Sequence, residues 1–222
     1  MKRRKKHQKE LELLAACAAG DLQDVKFLLC QGHVDHECTD EASNTPLHVA
    51  CENGHIDIVE FLVFEKGCNV NSERWDGRTP IHVACQSSQI LVVQLLTSTR
   101  MIVHTNIEEL FGTFHEPCNV NIKDSDGNTP LHLACIQGNE QLYTILMSTG
   151  RCKSNVKNMK GETPLHIACA LSHVHILELA ICNTECDFNI QDENGNSPLH
   201  TAISNELDDV FNMLPVAHLD LN

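Results

Sequence analysis

Apolar residues recur along this chain in short helical stripes that polar turns separate. In one representative stretch, Leu47, Val49 and Ala50 form a short apolar face, and Gly54 follows it. Glycine at this place suits the left-handed end of a helix. A second stripe comes next, with apolar residues at helical spacing: Ile56, Val59, Leu62 and Val63. The pattern predicts two short helices joined by a turn.

Five predicted first helices start with one motif: Thr or Ser, then Pro, an apolar residue, His, any residue and Ala. Its five copies start at Thr45, Thr79, Thr129, Thr163 and Ser197, and three of the four intervals are 34 residues. Thr or Ser is a good N-cap, because its oxygen accepts a hydrogen bond from an unpaired backbone N–H. Proline suits the first helical position, where its missing N–H is not needed.

Tight turns precede the motif. Asp76-Gly77, Asp126-Gly127 and Asn194-Gly195 share one phase of the repeat, and such dipeptides favour turns with positive φ. Two serines depart from the pattern. Ser43 replaces the turn glycine of the second repeat, and Ser88 replaces the glycine at the helix end of the third. The third repeat is therefore expected to be the least regular joint.

The motif and its period resemble the ankyrin-repeat family, whose signature is T-P-L-H-x-A at a period of about 33 residues. This resemblance implies an all-α solenoid of helix-turn-helix units with β-turn or hairpin tips. One unit cannot bury its apolar face alone, so neighbouring units must stack. We predict a basic N-terminal arm over residues 1–10 and an ankyrin-repeat domain over residues 11–222. Its six repeats are expected to start near Leu11, Thr45, Thr79, Thr129, Thr163 and Ser197.

One interval is irregular. From Thr79 to Thr129 there are 50 residues, or 16 more than the period, and the excess falls at about residues 97–117 in the third repeat. Its apolar content distinguishes it from a flexible linker, and helical spacing predicts a short extra helix over residues 106–114. Insertions in repeat arrays often lie on the binding face. A tolerated surface loop explains the sequence equally well.

The charge of the chain limits the classes of partner that it can bind. The formal net charge is −14, although six Lys or Arg residues stand within residues 2–9. The rest of the chain is strongly acidic and repels phosphate backbones, so nucleic-acid binding is not expected. The basic run over residues 2–6 is either a nuclear-import signal or a solvated end. No apolar run reaches the ~20 residues of a membrane span. We expect a soluble monomer of the cytoplasm, or of the nucleus if the basic run is a signal.

The cysteines follow the repeat. Nine of the twelve occupy two repeat positions, as small buried packing residues do. One position holds Cys17, Cys51, Cys85, Cys135 and Cys169, and the other holds Cys68, Cys118, Cys152 and Cys186. Stacked repeats would hold such residues too far apart for disulfides, so we expect free thiols in a reducing compartment.

Catalysis is not expected, because the chain has no phosphate-binding glycine loop, no H-E-x-x-H and no G-x-S-x-G. Four of the five motif histidines, such as His48, stand three residues before a cysteine. The family resemblance implies that they serve hydrogen bonds between repeats, so no metal or cofactor is expected. One alternative, a metal or redox sensor, rests on the local cluster Cys169, His173 and His175 and on three cysteines outside the repeat phase, Cys30, Cys38 and Cys182.

The resemblance also implies that partner proteins bind the turn tips and the exposed side of the first helices. Position by position, it predicts these partner-binding residues: Trp75, Arg78, Gln86, Ser125, Asn128, Ile136, Gln137, Met159, Glu162 and Leu171. Trp75 is the only tryptophan of the chain and has Arg78 near it. Trp and Arg are enriched at binding hot spots. The alternative is that tips vary freely and that the ring covers its own turn.

The predicted function is a non-catalytic interaction scaffold or adaptor. Its acidic surface favours a partner with a basic segment. A narrower alternative is a regulator of a transcription factor that looks like the inhibitor-of-NF-kappaB group, in which the joint after the third repeat is extended. The 16-residue excess is the feature that matches that group, whereas its Asp-Ser-Gly phosphorylation sequence does not occur in this chain.

Overall fold

The computed structural model describes residues 2–30, 32, 34–98 and 118–205. The chain forms two compact units, Met1–Asn119 and Val120–Asn222. Within the described residues both units consist of helices and turns, without strands. The extra helix predicted over residues 106–114 lies outside the described residues.

Three helix pairs make up the described part of the first unit. They are α1 (Lys2–Ala19) with α2 (Leu22–Cys30), α3 (Pro46–Asn53) with α4 (Ile56–Glu60), and α5 (Pro80–Gln86) with α6 (Ile90–Thr97). A π-helical turn, Phe61–Glu65, continues α4. Helix α3 packs against both α1 and α5, and α4 packs against both α2 and α6. First helices therefore stack on first helices, and second helices on second helices.

The second unit repeats this arrangement. Its described helices are α7 (Pro130–Ile136), α8 (Glu140–Ser148), α9 (Pro164–Ala170), α10 (Val174–Ile181) and α11 (Pro198–Ser204). Helix α9 packs between α7 and α11, while α8 packs against α10. The stacking that the sequence predicts is thus present within each unit.

Every Thr-Pro or Ser-Pro start becomes a capped helix. At α3, Thr45 has an extended backbone (φ −79°, ψ 164°), and its hydroxyl oxygen accepts a hydrogen bond from the backbone N–H of His48. In return, Nδ1 of His48 accepts the backbone N–H of Thr45 at 3.3 Å. This reciprocal pair is a capping box in which His takes the place of the usual Glu or Gln. The same box begins α5, α7, α9 and α11.

Left-handed residues end the first helices. Gly54 follows α3 with φ 76° and donates its N–H to the carbonyl oxygen of Ala50. Serine takes this conformation where glycine is missing, at Ser88 (φ 54°) and Ser172 (φ 57°), and Ser43 (φ 62°) does so in a turn. The backbone at Ser88 therefore follows the same path as at Gly54, although the sequence indicates an irregular joint.

The core runs between the two layers of helices within each unit. Each first helix contributes one large apolar side chain that is 0–3% exposed, namely Leu13, Leu47, Ile81, Leu131, Leu165 and Leu199. Burial of such a side chain stabilises the fold by about 1.5–3 kcal/mol. All nine cysteines that follow the repeat are buried, which confirms their predicted packing role.

Helix α1 begins earlier than the sequence predicts. The first helix was expected to start at Leu11 after a basic arm, but it starts at Lys2 and continues to Ala19. Lys6 and His7 lie 3.6 Å and 3.7 Å from the Glu10 carboxylate, four and three residues on. Such pairs stabilise a helix by a few tenths of a kcal/mol. None of the described helices is long and apolar enough to cross a membrane.

Candidate interaction surface

A short hairpin turn precedes each motif helix. Its first residue donates its backbone N–H to the carbonyl oxygen of the fifth, at 2.8 to 3.2 Å, in five turns: 40–44, 74–78, 124–128, 158–162 and 192–196. In four of them the first residue is Asp or Asn, and its side chain holds the turn. Oδ1 of Asp40, for example, accepts the N–H groups of Ala42 at 2.9 Å and Asn44 at 2.8 Å. These bonds fix the backbone on which the tip side chains stand.

The turn at residues 74–78 is built differently, because Arg74 occupies the place of the Asp or Asn. Nε and Nη2 of Arg74 donate to the two carboxylate oxygens of Asp76 at 2.8 and 2.9 Å. Asp76 Oδ1 also accepts the backbone N–H of Arg78 at 3.2 Å. A third bond, from Arg74 Nη1 to Asn44 Oδ1 at 3.3 Å, joins this turn to the preceding one. Paired Arg–carboxylate bonds of this kind are directional and strong.

Trp75 stands at the tip of this turn and is 72% exposed. Beside it, Nη1 of Arg78 donates to Oε1 of Gln86 at 2.8 Å, so the turn is tied to the end of α5. The structure therefore brings three predicted partner-binding residues onto one turn and its adjoining helix end. Trp75, Arg78 and Gln86 are here called the Trp75 surface.

Other predicted contact residues lie in the second unit. Met159 occupies the same turn position as Trp75 and is 69% exposed. Its backbone N–H donates to the carbonyl oxygen of Asp126 at 2.9 Å, which ties its tip to the preceding turn. Ile136 and Leu171 are 39% and 49% exposed. Ser125 and Gln137 are exposed as well.

Two predicted contact residues have structural roles instead. Asn128 is only 8% exposed, and its side-chain oxygen accepts a hydrogen bond from Asn158 Nδ2 at 3.2 Å. Its side chain is therefore not an accessible tip group, because the fifth turn position points inward here, and its role in partner binding stays a prediction. Glu162 is half-buried, and its carboxylate accepts from Asn158 Nδ2 at 3.0 Å. The Glu162 side chain therefore stabilises the turn and is also partly accessible to a partner.

The motif histidines join one repeat to the next. Nε2 of His48 lies 3.1 Å from the carbonyl oxygen of Arg78, and the same bond joins His132 to Glu162 at 3.1 Å and His166 to Asn196 at 2.9 Å. Since Nδ1 accepts a backbone N–H within its own capping box, Nε2 carries the proton and donates. This confirms the hydrogen-bonding role that the sequence indicates.

Burial keeps these histidines neutral. It lowers the pKa of His48 and of His132 to about 4, and it also lowers the pKa of His166. A neutral ring with both nitrogens engaged has no free lone pair for a metal ion, and its protonation state does not change near neutral pH.

Comparison with known proteins agrees with this geometry. A family model described as ankyrin repeats (3 copies) matches residues 13–109, 100–192 and 148–222, which together span most of the chain. The chain belongs to the ankyrin-repeat family. Its predicted fold class, an all-α ankyrin solenoid, is thereby confirmed. Ankyrin repeats generally mediate protein–protein interaction. A search of curated proteins finds no match to the chain.

Burial disfavours the thiolate form of five repeat-locked cysteines of this ankyrin array. Burial raises the pKa of Cys17, Cys152 and Cys169 to about 12, and it raises the pKa of Cys51 and Cys135 well above the usual value. Thiols act as nucleophiles and metal ligands through the thiolate, which is scarce at such pKa values.

The structure does not bring Cys169, His173 and His175 together as a group of metal ligands. His175 is exposed, and its Nδ1 lies 3.1 Å from Oε2 of Glu178. The ring of His173 packs against Gly138, where an added Cβ would lie 2.5 Å from Cε1. Within the part of the chain that the structure describes, three metal-ligating side chains converge at another place, around Cys68.

Two residues that shape the ankyrin tip were missed from sequence. Arg74 and Asp76 hold Trp75 in place, yet neither was among the predicted site residues. The signal was present, because Arg74 stands at a phase where the other turns have Asp or Asn. When one repeat has a basic residue where the others have an acidic or amide residue, its turn is expected to be held by different hydrogen bonds.

Proposed function

We propose that this ankyrin-repeat chain is a non-catalytic protein-interaction module and that a partner protein binds the Trp75 surface. The observation that carries the proposal is the 72% exposure of the only tryptophan on a turn fixed by hydrogen bonds. A large aromatic ring left in water gains free energy when a partner covers it. Trp and Arg are also the residue types most enriched at binding hot spots.

Preorganisation adds to this gain. The paired bonds from Arg74 to Asp76 and the bond from Arg78 to Gln86 hold the backbone and side chains around Trp75 before any partner arrives. A surface ordered in advance loses less conformational entropy on binding, so more of the contact energy is retained as affinity.

Charge supports a partner with a basic segment. The protein has a net charge of −14, and exposed carboxylates of the first unit include Glu41, Glu52 and Glu73. A Lys or Arg of the partner would meet these carboxylates, and it can also stack on the face of Trp75 as a cation–π pair. Charge complementarity of this kind raises the association rate and makes it depend on salt.

A second exposed set belongs to the second unit. Met159 and Leu171 are apolar, while Ser125 and Gln137 are polar, and all four side chains are exposed. Methionine adapts its shape to different partners. We propose that this set, together with the half-exposed Ile136, takes part in recognition as well.

The test uses affinity purification from cell lysate with quantitative mass spectrometry. The wild type is compared with Trp75→Ala/Arg78→Ala and with a control, Leu91→Ala, whose side chain is 60% exposed on α6. Circular dichroism first establishes that all three fold alike. We expect at least one protein that the wild type and the control retain and the double variant loses. An unchanged set of proteins in the double variant would overturn the assignment of the Trp75 surface.

A second experiment measures binding directly. Because Trp75 is the only tryptophan, its fluorescence reports contact with any tryptophan-free peptide. We expect a basic peptide derived from the retained partner to shift the emission to shorter wavelength, and high salt to weaken the effect. A peptide that binds without changing the emission would place the contact elsewhere.

The narrower hypotheses from the sequence remain proposals. A role like that of the inhibitor-of-NF-kappaB group rests on the insertion, which lies outside the described residues. A nuclear location rests on the basic run over residues 2–6, and the cytoplasmic location and the monomeric state are likewise expectations. Localisation of a tagged chain with and without that run tests the import signal.

A further inference from the structure

Three side chains of the first unit converge around a buried thiol. His36, Glu37 and Cys68 each offer one ligand atom, and these atoms all lie within 4.8 Å of one another. Cys68 is 3% exposed, whereas His36 and Glu37 are half-buried. His36 and Glu37 lie in the segment after α2, and Cys68 lies after the π-helical turn of the next repeat. Two adjacent repeats therefore contribute to one cluster.

Glu37 has a structural task that explains only one of its oxygens. At the same phase, later repeats have asparagine, whose Oδ1 accepts a backbone N–H of the following repeat. Asn71 accepts from Asn119 at 2.8 Å, and Asn121 accepts from Lys153 at 2.7 Å. Glu37 does this through Oε1, which accepts the N–H of Asn69 at 2.8 Å. Asparagine would suffice for that bond, so glutamate adds a second oxygen and a negative charge.

His36 departs from the repeat in the same way. Its phase is occupied in later repeats by buried residues that need no charge: Val70, Val120, Ser154 and Phe188. This position faces the cysteine of the following repeat, since the Ser154 side chain is hydrogen-bonded to Cys186. Only the first repeat places an imidazole and a carboxylate side by side at these two positions.

We propose that His36, Glu37 and Cys68 bind a divalent cation of the zinc class. A cysteine sulfur, a histidine nitrogen and a carboxylate oxygen are the three ligand types of protein zinc sites. The mixture of soft and borderline donors favours zinc over magnesium or calcium, which take oxygen ligands. The ion would complete its tetrahedron with a water molecule, because His36 and Glu37 leave the site open to solvent on one side.

Small side-chain movements suffice to form the site. Tetrahedral zinc with its usual bond lengths places ligand atoms about 3.5 Å apart. The present limit of 4.8 Å can shorten to that value through rotations of the His36 and Glu37 side chains. The Cys68 thiol loses its proton when the metal binds, and that proton passes to solvent.

The bound ion would link the first repeat to the second. Such a link adds to the stability that the two repeats gain by stacking on each other. Ligand binding to the folded state alone raises the unfolding temperature by mass action. This inference does not depend on the proposed partner surface.

The experiment titrates the purified full chain with zinc after treatment with a chelator. The exposed cysteines, Cys30 and Cys182, are first replaced by serine so that they cannot bind the metal. In this background we compare His36→Val/Glu37→Asn, which installs the side chains of later repeats, with Cys152→Ser as a matched control. Cys152 has the same repeat phase as Cys68, but Val120 and Asn121 occupy the places of His36 and Glu37.

We expect one equivalent of zinc in the background and in the Cys152→Ser control, and at least a tenfold lower affinity in His36→Val/Glu37→Asn. Cobalt should give a sulfur-to-metal charge-transfer band in the first two alone. Zinc should also raise the Tm of those two and leave that of the double variant unchanged. No zinc in the background, or equal zinc in the double variant, would overturn the proposal. Circular dichroism distinguishes both results from unfolding.

Discussion

The imidazole of His48 donates a hydrogen bond from Nε2 to the main-chain carbonyl oxygen of Arg78, 3.1 Å away in the next repeat. The same ring accepts the backbone N–H of Thr45 through Nδ1. One neutral side chain therefore caps its own helix and joins it to the following turn. Protonation would give both ring nitrogens a hydrogen and abolish the acceptor.

This relationship predicts a loss of stability in mild acid. The pKa of His48 and of His132 is about 4 in the folded chain and near 6.5 in the unfolded chain. Between these values the unfolded chain binds more protons, so the free energy of unfolding falls as the pH is lowered. We expect a slope of about 1.4 kcal/mol per pH unit for each such histidine. Urea unfolding at several pH values between 7.5 and 4.5 measures it.

The control is the pair of substitutions His48→Asn/His132→Asn. This variant should be less stable at pH 7.5, and its stability should fall less steeply towards pH 5. Equal slopes in the two proteins would show that the acid effect arises from other groups.

The Arg74–Asp76 pair should show measurable coupling. Both side chains are largely buried, at 14% and 17% exposed, and two hydrogen bonds join them. A double-mutant cycle of Arg74→Ala and Asp76→Ala is expected to give a coupling energy of about 1 kcal/mol. The exposed pair Lys6–Glu10 provides the comparison, with an expected value of about 0.3 kcal/mol. Equal coupling in the two cycles would mean that the turn is held by its backbone alone.

Alanine substitutions at two glycines should distinguish the cost of backbone strain from the cost of steric crowding. Gly138 and Gly150 have nearly the same φ, +63° and +64°, but a Cβ at Gly138 would lie 2.5 Å from the His173 ring, whereas nothing lies within 4 Å at Gly150. Alanine at either position costs about 1 kcal/mol for the left-handed conformation. Gly138→Ala should lower the free energy of unfolding by about 1 kcal/mol more than Gly150→Ala, because the His173 ring must move. Thermal and urea unfolding of both variants measure the difference, and equal losses would contradict it.

Thiol reactivity should divide the cysteines into two classes. Cys30 and Cys182 are exposed and the other ten are buried. In native protein, Ellman's reagent should therefore react rapidly with two thiols, and with all twelve in denaturant. The Cys30→Ser/Cys182→Ser variant should have no rapid phase. A third fast thiol in the native wild type would show that local opening exposes a buried repeat position.

The sequence predicts the repeat well because its signals are local. Thr45 and Ser197 mark helix starts through capping chemistry that acts within four residues, and the structure has a capping box at both. The start of α1 at Lys2 was missed, because charged residues carry no apolar period. Ser172 was missed as a left-handed residue, since serine gives no such signal by itself.

The candidate site was harder to predict, because it depends on contacts between repeats. Asn128 occupies a tip position in sequence, but its side chain turns inward to Asn158, thirty residues away. His36 and Cys68 meet only after two repeats stack, so neither spacing nor motif indicates their proximity. Such pairs can be found in the sequence only by comparing the residue types that occupy equivalent positions of the repeats.

The three bonds from the motif histidines end on Arg78, Glu162 and Asn196, whose side chains are basic, acidic and neutral. Each bond uses the main-chain oxygen, which every amino acid supplies. A mutation at these positions can therefore exchange the side chain and leave the bond between repeats in place. The main-chain oxygen of such a residue holds two repeats together, whereas its side chain is available to contact a partner. Such a chain can acquire new partners during evolution at little cost in stability.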